Sequence, residues 1–148
     1  MLTLEPHLTA ATAAIAAARA APLSAKRAML AALLLDAAAD AMFAASGEDD
    51  ILEFRARLAA QSDALRLIFA LCALRQNGPH LVTEAVAVPA AGYATLDIPD
   101  LMVSLYNNRT VQRVLIADGD ERHDVHEVLE AALGAIHQSG SPSPMRGG

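Results

Sequence analysis

Apolar residues recur at helical spacing through the first half of the chain, and alternate as in strands in the second half. From about Pro6 to Ala21 the pattern predicts an alanine helix. Its large apolar side chains are few, mainly Leu8 and Ile15, so it must lean on neighbours to be stable. Pro22 ends it, and Ser24 can cap a second helix that runs to about Ala45. There Leu30, Leu33, Leu34, Ala37 and Ala41 recur at steps of three and four and form the expected buried stripe. Gly47 suits a break. Ser46 is the expected cap of a third helix, with the acids that follow favourable at the positive end of its dipole.

The third helix is expected from about Asp49 to Arg75, with a kink near Gln61-Ser62-Asp63. Ile51, Phe54, Leu58, Gln61, Leu65, Ile68 and Cys72 alternate steps of three and four, a coiled-coil-like seam with one polar member. Leu52, Ala59, Leu67, Leu71 and Leu74 lie off that seam, so the last turns are apolar over more than one face. Such a helix is either central in its own domain or shared with a partner. On the second reading Phe54, Leu58, Leu65, Ile68, Leu71 and Leu74 are candidate interface residues.

Asn77-Gly78-Pro79 closes the helical half. LVTEAVAV then alternates, with Val82, Val86 and Val88 on one side, and predicts a strand. Residues 98–106 read as a short helix begun at Asp97 with Pro99 in its first turn, or as a strand through Leu101, Val103 and Leu105; helix is the preferred reading. TVQRVLIA is the strongest strand, apolar on both faces. Asp118-Gly119-Asp120 is a turn, and a last helix is expected from about Val125 to His137. The fold class is therefore α+β and mainly helical. Three N-terminal helices pack on a small C-terminal unit of two to three strands and one to two helices. One domain is expected over residues 1–138, and SGSPSPMRGG at 139–148 reads as a disordered tail.

Composition sharpens this picture in three ways. Of 148 residues 54% are hydrophobic, but much of that is alanine; only 3% are aromatic and there is no Trp. Leu, Val, Ile, Met and Ala must build the core, with Phe43, Phe54 and Phe69 as rare large pieces. The net charge is −6 and Lys26-Arg27 is the only adjacent basic pair, which disfavours nucleic acid and anionic membrane surfaces as partners. Asp36 and Asp40 interrupt the apolar stretch of the second helix, so it is not expected to span a bilayer. Cys72, the lone cysteine, excludes an internal disulfide and reads as a small buried hydrophobe; a reducing cytoplasm is expected.

Candidate chemistry concentrates in GDERHDVHEVLE, residues 119–130, with two histidines and five acids. At about 100° per residue, Val125, Val128, Leu129, Ala132 and Ile136 share one side, expected to face the core. His126, Glu130 and His137 fall well round from it, and His123 and Glu127 opposite, so histidines and acids are expected on the wet face. Asp124 and Glu127 fit a capping box. His126 with Glu130, and likewise His123 with Glu127, are four apart and could each touch one zinc or manganese ion, a metal-binding alternative that lacks a third ligand on this face. Asp36 and Asp40, one turn apart, read as a polar stripe beside a basic residue, and Glu53–Arg57 as a helix pair four apart.

Ser104, Tyr106 and Asn108 are candidate pocket residues near a bend. No P-loop, GxGxxG, GxSxG, CxxC or HExxH occurs. The expected function is a small soluble, non-enzymatic interaction or regulatory domain, homodimeric, with no cofactor and with itself or another protein as partner. The alternatives are a metal-binding protein or metal-dependent enzyme using the His/Glu cluster of the last helix, and a small-molecule module with a cavity between the alanine helices and the sheet.

Overall fold

Ser24 adopts an extended backbone, and its Oγ accepts a hydrogen bond from the Arg27 backbone N–H at 3.2 Å, so a helix starts at Ala25. It ends at Gly47, whose φ of 78° is the left-handed cap that glycine fills without a Cβ penalty. A computed structural model describes residues 4–87, 99–100 and 110–140. Its elements are α1 (Leu4–Ala20), α2 (Ala25–Ser46), α3 (Ile51–Gln61), α4 (Asp63–Cys72), β1 (His80–Ala87), β2 (Thr110–Asp118), β3 (Glu121–Asp124) and α5 (Val125–Gly140). The expected mainly helical α+β fold is what the chain forms. Val88, the bend residues, 98 and 101–106 lie outside the described residues, as do 141–148; residues 99 and 100 are helical, and Ser139 and Gly140, expected in the tail, belong to α5.

The long third helix is two helices. Ser62 leaves the helical region at φ −143°, and its Oγ accepts from the Leu65 N–H, capping α4 while its own N–H closes α3 on the Leu58 carbonyl. The cap of α3 is Asp50, which accepts from the Glu53 N–H, and not Ser46. Ser46 sits within the last turn of α2; its hydroxyl donates to the Phe43 carbonyl and accepts from the Glu48 N–H. Arg57 pairs with Glu48 across the loop at 2.6 Å rather than with Glu53.

The sheet is antiparallel in the order β1-β2-β3. Thr83 faces Val114 and Leu81 faces Ile116 across the first ladder; Ile116 faces His123 across the second. Val114 and Ile116 join the helical core, while Val111, Leu115 and Ala117 are buried as well, so β2 is covered on both faces as its sequence suggested. The strand β3 had no apolar signature. It forms because Gly119, at φ 60°, supplies the first residue of a two-residue turn, which pairs Asp118 with Glu121.

Helix α2 is rotated away from the expected stripe. Its buried residues are Ala28, Ala31, Ala32, Leu35, Ala38, Ala39, Ala41 and Met42. Leu30 and Leu33 are 53% and 44% exposed, and Leu34 and Ala37 only partly buried, so of the expected stripe Ala41 alone is fully inside. The cause is α1, which presents Ala11, Ala14 and Ala18 together with Leu8 and Ile15. Two alanine faces allow two helix backbones to approach closely, and α1–α2 is the most extensive helix contact. A leucine on that seam would hold the backbones apart.

The last helix follows its sequence closely. Val125, Val128, Leu129, Ala132 and Ile136 are buried, and α5 packs on α1, α2 and α4. Leu65, Leu67, Ile68 and Leu71 bury α4 on more than one side. Of the two readings of that region, the chain realises the one with α4 central in its own core. Ala31→Leu is expected to cost about 1–3 kcal/mol by overpacking the alanine seam. Leu30→Ala, on the bare face, should stay within about 0.5 kcal/mol. Denaturant unfolding of both variants checks the rotation of α2, and a reversed order would refute it.

Candidate functional site

The β2–β3 hairpin brings together one cluster with metal-ligand chemistry. Asp118 and Glu121 are register partners, and His123 follows Glu121 by two residues, so all three share a face of the sheet. Their ligand atoms lie within 4.8 Å of one another, and among the described residues this is the only such group of His, Cys, Asp and Glu. His123 Nε2 is shielded from solvent, has no hydrogen-bond partner among the described residues, and stands 4.0 Å from Glu121 Oε2. A histidine with two carboxylates is a zinc-type donor set.

A cation already stands beside it. Arg66 of α4 lies 3.8 Å from Asp118 and donates through Nε to Asp63 at 2.7 Å. That bond lowers the Asp63 pKa and raises that of Arg66, with the His123 ring a small further influence on Asp63. Both side chains are open to water, which screens the effect.

The four residues singled out in sequence are not brought together. His123 stands on β3 instead of preceding a helix, and it is Asp118 and Glu121 that join it. His126 is not on the wet face: it is 7% exposed. Its Nε2–H donates at 3.1 Å to the Pro22 carbonyl, in the loop between α1 and α2, and its Nδ1 is buried without a partner among the described residues. Since a carbonyl can only accept, this bond fixes the proton on Nε2. Glu130 is held by Arg19 of α1 in a two-pronged pair that also raises the Arg19 pKa. Glu127 is exposed at the helix start, where the Asp124 carboxylate accepts from the N–H groups of both His126 and Glu127.

Asp118 and Glu121 were missed because a turn was read without the strand after it. The signal was there in a two-residue Gly-Asp turn followed at once by an acid and, two residues on, a histidine.

The remaining candidates sort by burial. Phe54, Leu58, Leu65, Ile68 and Leu71, proposed from sequence as interface, belong to the chain's own core and offer no surface; Leu74 alone of that set is exposed. Ser104, Tyr106 and Asn108 lie outside the described residues. Asp36 and Asp40 have the basic neighbour expected. Arg55 of α3 pairs with both, reaching Asp40 at 2.9 Å, and stacks 4.1 Å over the Phe69 ring. Shared between the two carboxylates, Arg55 offsets one of their two charges and holds α3 to α2.

Two clefts of about 450 Å³ are present among the described residues. One, between α1 and α5, is bridged by the Arg19–Glu130 pair, with Ile15 and Leu133 as its apolar walls. The other lies between α2, α4 and β1. By length and mean hydropathy α2 would also suffice to cross a membrane, though 44% of that window is buried inside the fold.

Cys72, the last residue of α4, is half-buried, and burial pushes its thiol up to about 12, with Asp36 adding to the shift. At pH 8 its thiolate fraction is smaller than that of an ordinary cysteine by roughly a thousandfold. Alkylation by iodoacetamide should therefore be at least about a hundredfold slower than for free cysteine, and recover fully in urea. The sign of the linkage follows. The folded state keeps its proton where the unfolded chain has lost it, so stability should fall as pH rises from about 9 to about 12. Native labelling at the free-cysteine rate would contradict this. Compared with known protein families, curated protein sequences and solved structures, the chain matches none.

Proposed function

We propose that the chain is a non-catalytic interaction domain that pairs with a second copy of itself through α2. One observation carries this reading: α2 carries apolar residues on two opposite sides, and the outer one is engaged inside the fold only toward its C-terminal end, where Arg55 of α3 reaches Asp40. On the outer side Lys26, Leu30, Leu33, Ala37, Asp40 and Ala44 follow steps of four and three. At about 100° per residue they lie within about 40° of one line, directly opposite the buried alanines. This is the spacing of a coiled-coil seam. Leu23, also exposed, extends it at the N-terminal end.

The charges favour an identical partner. Lys26 stands near one end of the seam and Asp40 near the other. In an antiparallel pair about a two-fold axis near Leu33, each Lys26 meets the partner's Asp40 end, a self-complementary arrangement. Asp40, although paired with Arg55, keeps more than half of its side chain exposed.

Sedimentation equilibrium at micromolar concentration is expected to give a dimer. Leu30→Glu with Leu33→Glu should give a monomer with unaltered helical content, since neither side chain is in the core. A wild-type monomer up to about 100 μM, where a Kd that weak would be worth only about 5 kcal/mol, would end this reading, as would attachment to neutral lipid vesicles without dimerisation.

A second reading has the hairpin cluster behind it: a divalent-ion site at Asp118, Glu121 and His123, replacing the site expected on the last helix. One equivalent of Zn²⁺ should raise the melting temperature of the wild type and leave that of His123→Ala unchanged. Equal shifts in both would dismiss it.

A further inference from the structure

We infer that the cleft between α2, α4 and β1 is a binding site for a small amphiphilic anion, a single anionic headgroup on an apolar chain. The cleft is an open groove of about 450 Å³, comparable in volume to ordinary ligand pockets of roughly 300–1,000 Å³. Its apolar lining includes Met29, Leu71 and Leu81. Its polar lining is Lys26, Arg75 and His80, and no carboxylate is among the described residues that form it.

That charge pattern runs against the rest of the chain. The net charge is −6, and the arginines at 19, 55, 57, 66, 113 and 122 each pair with an acid. Arg27 donates to the Ala17 carbonyl. By contrast, neither the Lys26 nor the Arg75 side chain has a hydrogen-bond or ion-pair partner among the described residues. Among the described residues, two basic side chains thus stand on one cleft of an acidic protein with no acid set against them. His80 stands beside them, its Nδ1–H donating to the Gly78 carbonyl at 3.3 Å.

Two further features point the same way. Ala25 and Lys26 belong to the first turn of α2, a 22-residue helix capped by the neutral Ser24 hydroxyl with no acid in that turn, so no negative charge on the helix offsets the positive end of its dipole. At the opposite wall Leu74 has φ 52°, the left-handed conformation that follows a helix and that glycine ordinarily takes. The chain keeps a leucine there, 73% exposed, at a backbone cost that the free protein does not recover by burying it. An apolar chain lying in the cleft would cover it. The equally large cleft between α1 and α5 makes the contrast: its Arg19 is already neutralised by Glu130.

The site rests on different residues from the α2 seam, Lys26 at their border excepted. The test is calorimetric titration of the full chain with decanoate and decyl phosphate, both below micelle-forming concentration, beside decanol and decyltrimethylammonium. The anions are expected to bind at least about tenfold more tightly than the alcohol or the cation. Whichever of the two is tighter names the headgroup. Lys26→Gln with Arg75→Gln, both exposed positions, should weaken anion binding at least about tenfold with the fold intact. Leu74→Gly should weaken it severalfold while the protein becomes no less stable, and Arg19→Gln should leave it unchanged. Decanol binding as tightly as decanoate, or a double variant that binds both anions as the wild type does, would overturn the inference. Leu30→Gln with Leu33→Gln, which removes the seam without placing an acid one turn from Lys26, should bind as the wild type does, so the two proposals fail separately.

Discussion

The close approach of α1 and α2 sets the rest of the structure. A buried alanine removes little apolar area from water, so an alanine seam stabilises mainly through the number and tightness of its contacts. Ala11, Ala14 and Ala18 on α1 and the alanines of α2 supply that tightness. The bulk of the core must then come from elsewhere: Leu65, Leu67, Ile68 and Leu71 of α4, Val125, Leu129 and Ile136 of α5, and Val114 and Ile116 of β2. The same choice sends the leucines of α2 outward. The bare leucine face is a by-product of how the core is filled, and the small size of one seam accounts for both.

Much of this was legible in sequence, because boundaries are written in single side chains. Ser24, Gly47, Ser62 and Asp124 each do locally what their chemistry favours, and the core stripe of α5 follows from its valines and leucines alone. The rotation of α2 was not legible. Alanine and leucine are both apolar, so periodicity shows two usable faces and cannot say which fits a partner helix made of alanine. The strand Glu121–Asp124 was hidden for the opposite reason, since four polar residues carry no alternation and only the tight turn before them dictates pairing. His126 escaped because a loop distant in sequence, at Pro22, reaches over it. The convergence of Asp118, Glu121 and His123 depended on that same unseen strand.

The distribution of paired and unpaired charge gives the surface its meaning. Most described arginines are locked to acids, many of them across elements: Arg19 to α5, Arg55 to α2, Arg122 of β3 to Glu84 of β1. Such pairs add little net stability when exposed, but they fix orientation and use up the cations available to outside partners. What stays unpaired is therefore more informative than the total. Of the hairpin carboxylates Asp118 stands beside Arg66, whereas the described residues set no acid against the cations of the cleft beside α4.

One feature of the scaffold bears on its motions. Helix α3 buries only Phe54 and Leu58, and is otherwise held by Arg55 across Asp36 and Asp40 and by Arg57 on Glu48. Its neighbours are anchored by continuous apolar faces. Ser62 breaks the hydrogen-bond ladder between α3 and α4, so α3 can detach without unwinding the helix that carries the core. Amide exchange in residues 51–61 would then proceed by a local opening well below the global unfolding free energy. Because the tether is ionic, that opening would grow easier as salt is added, while the exchange of α4 and α5 stayed fixed.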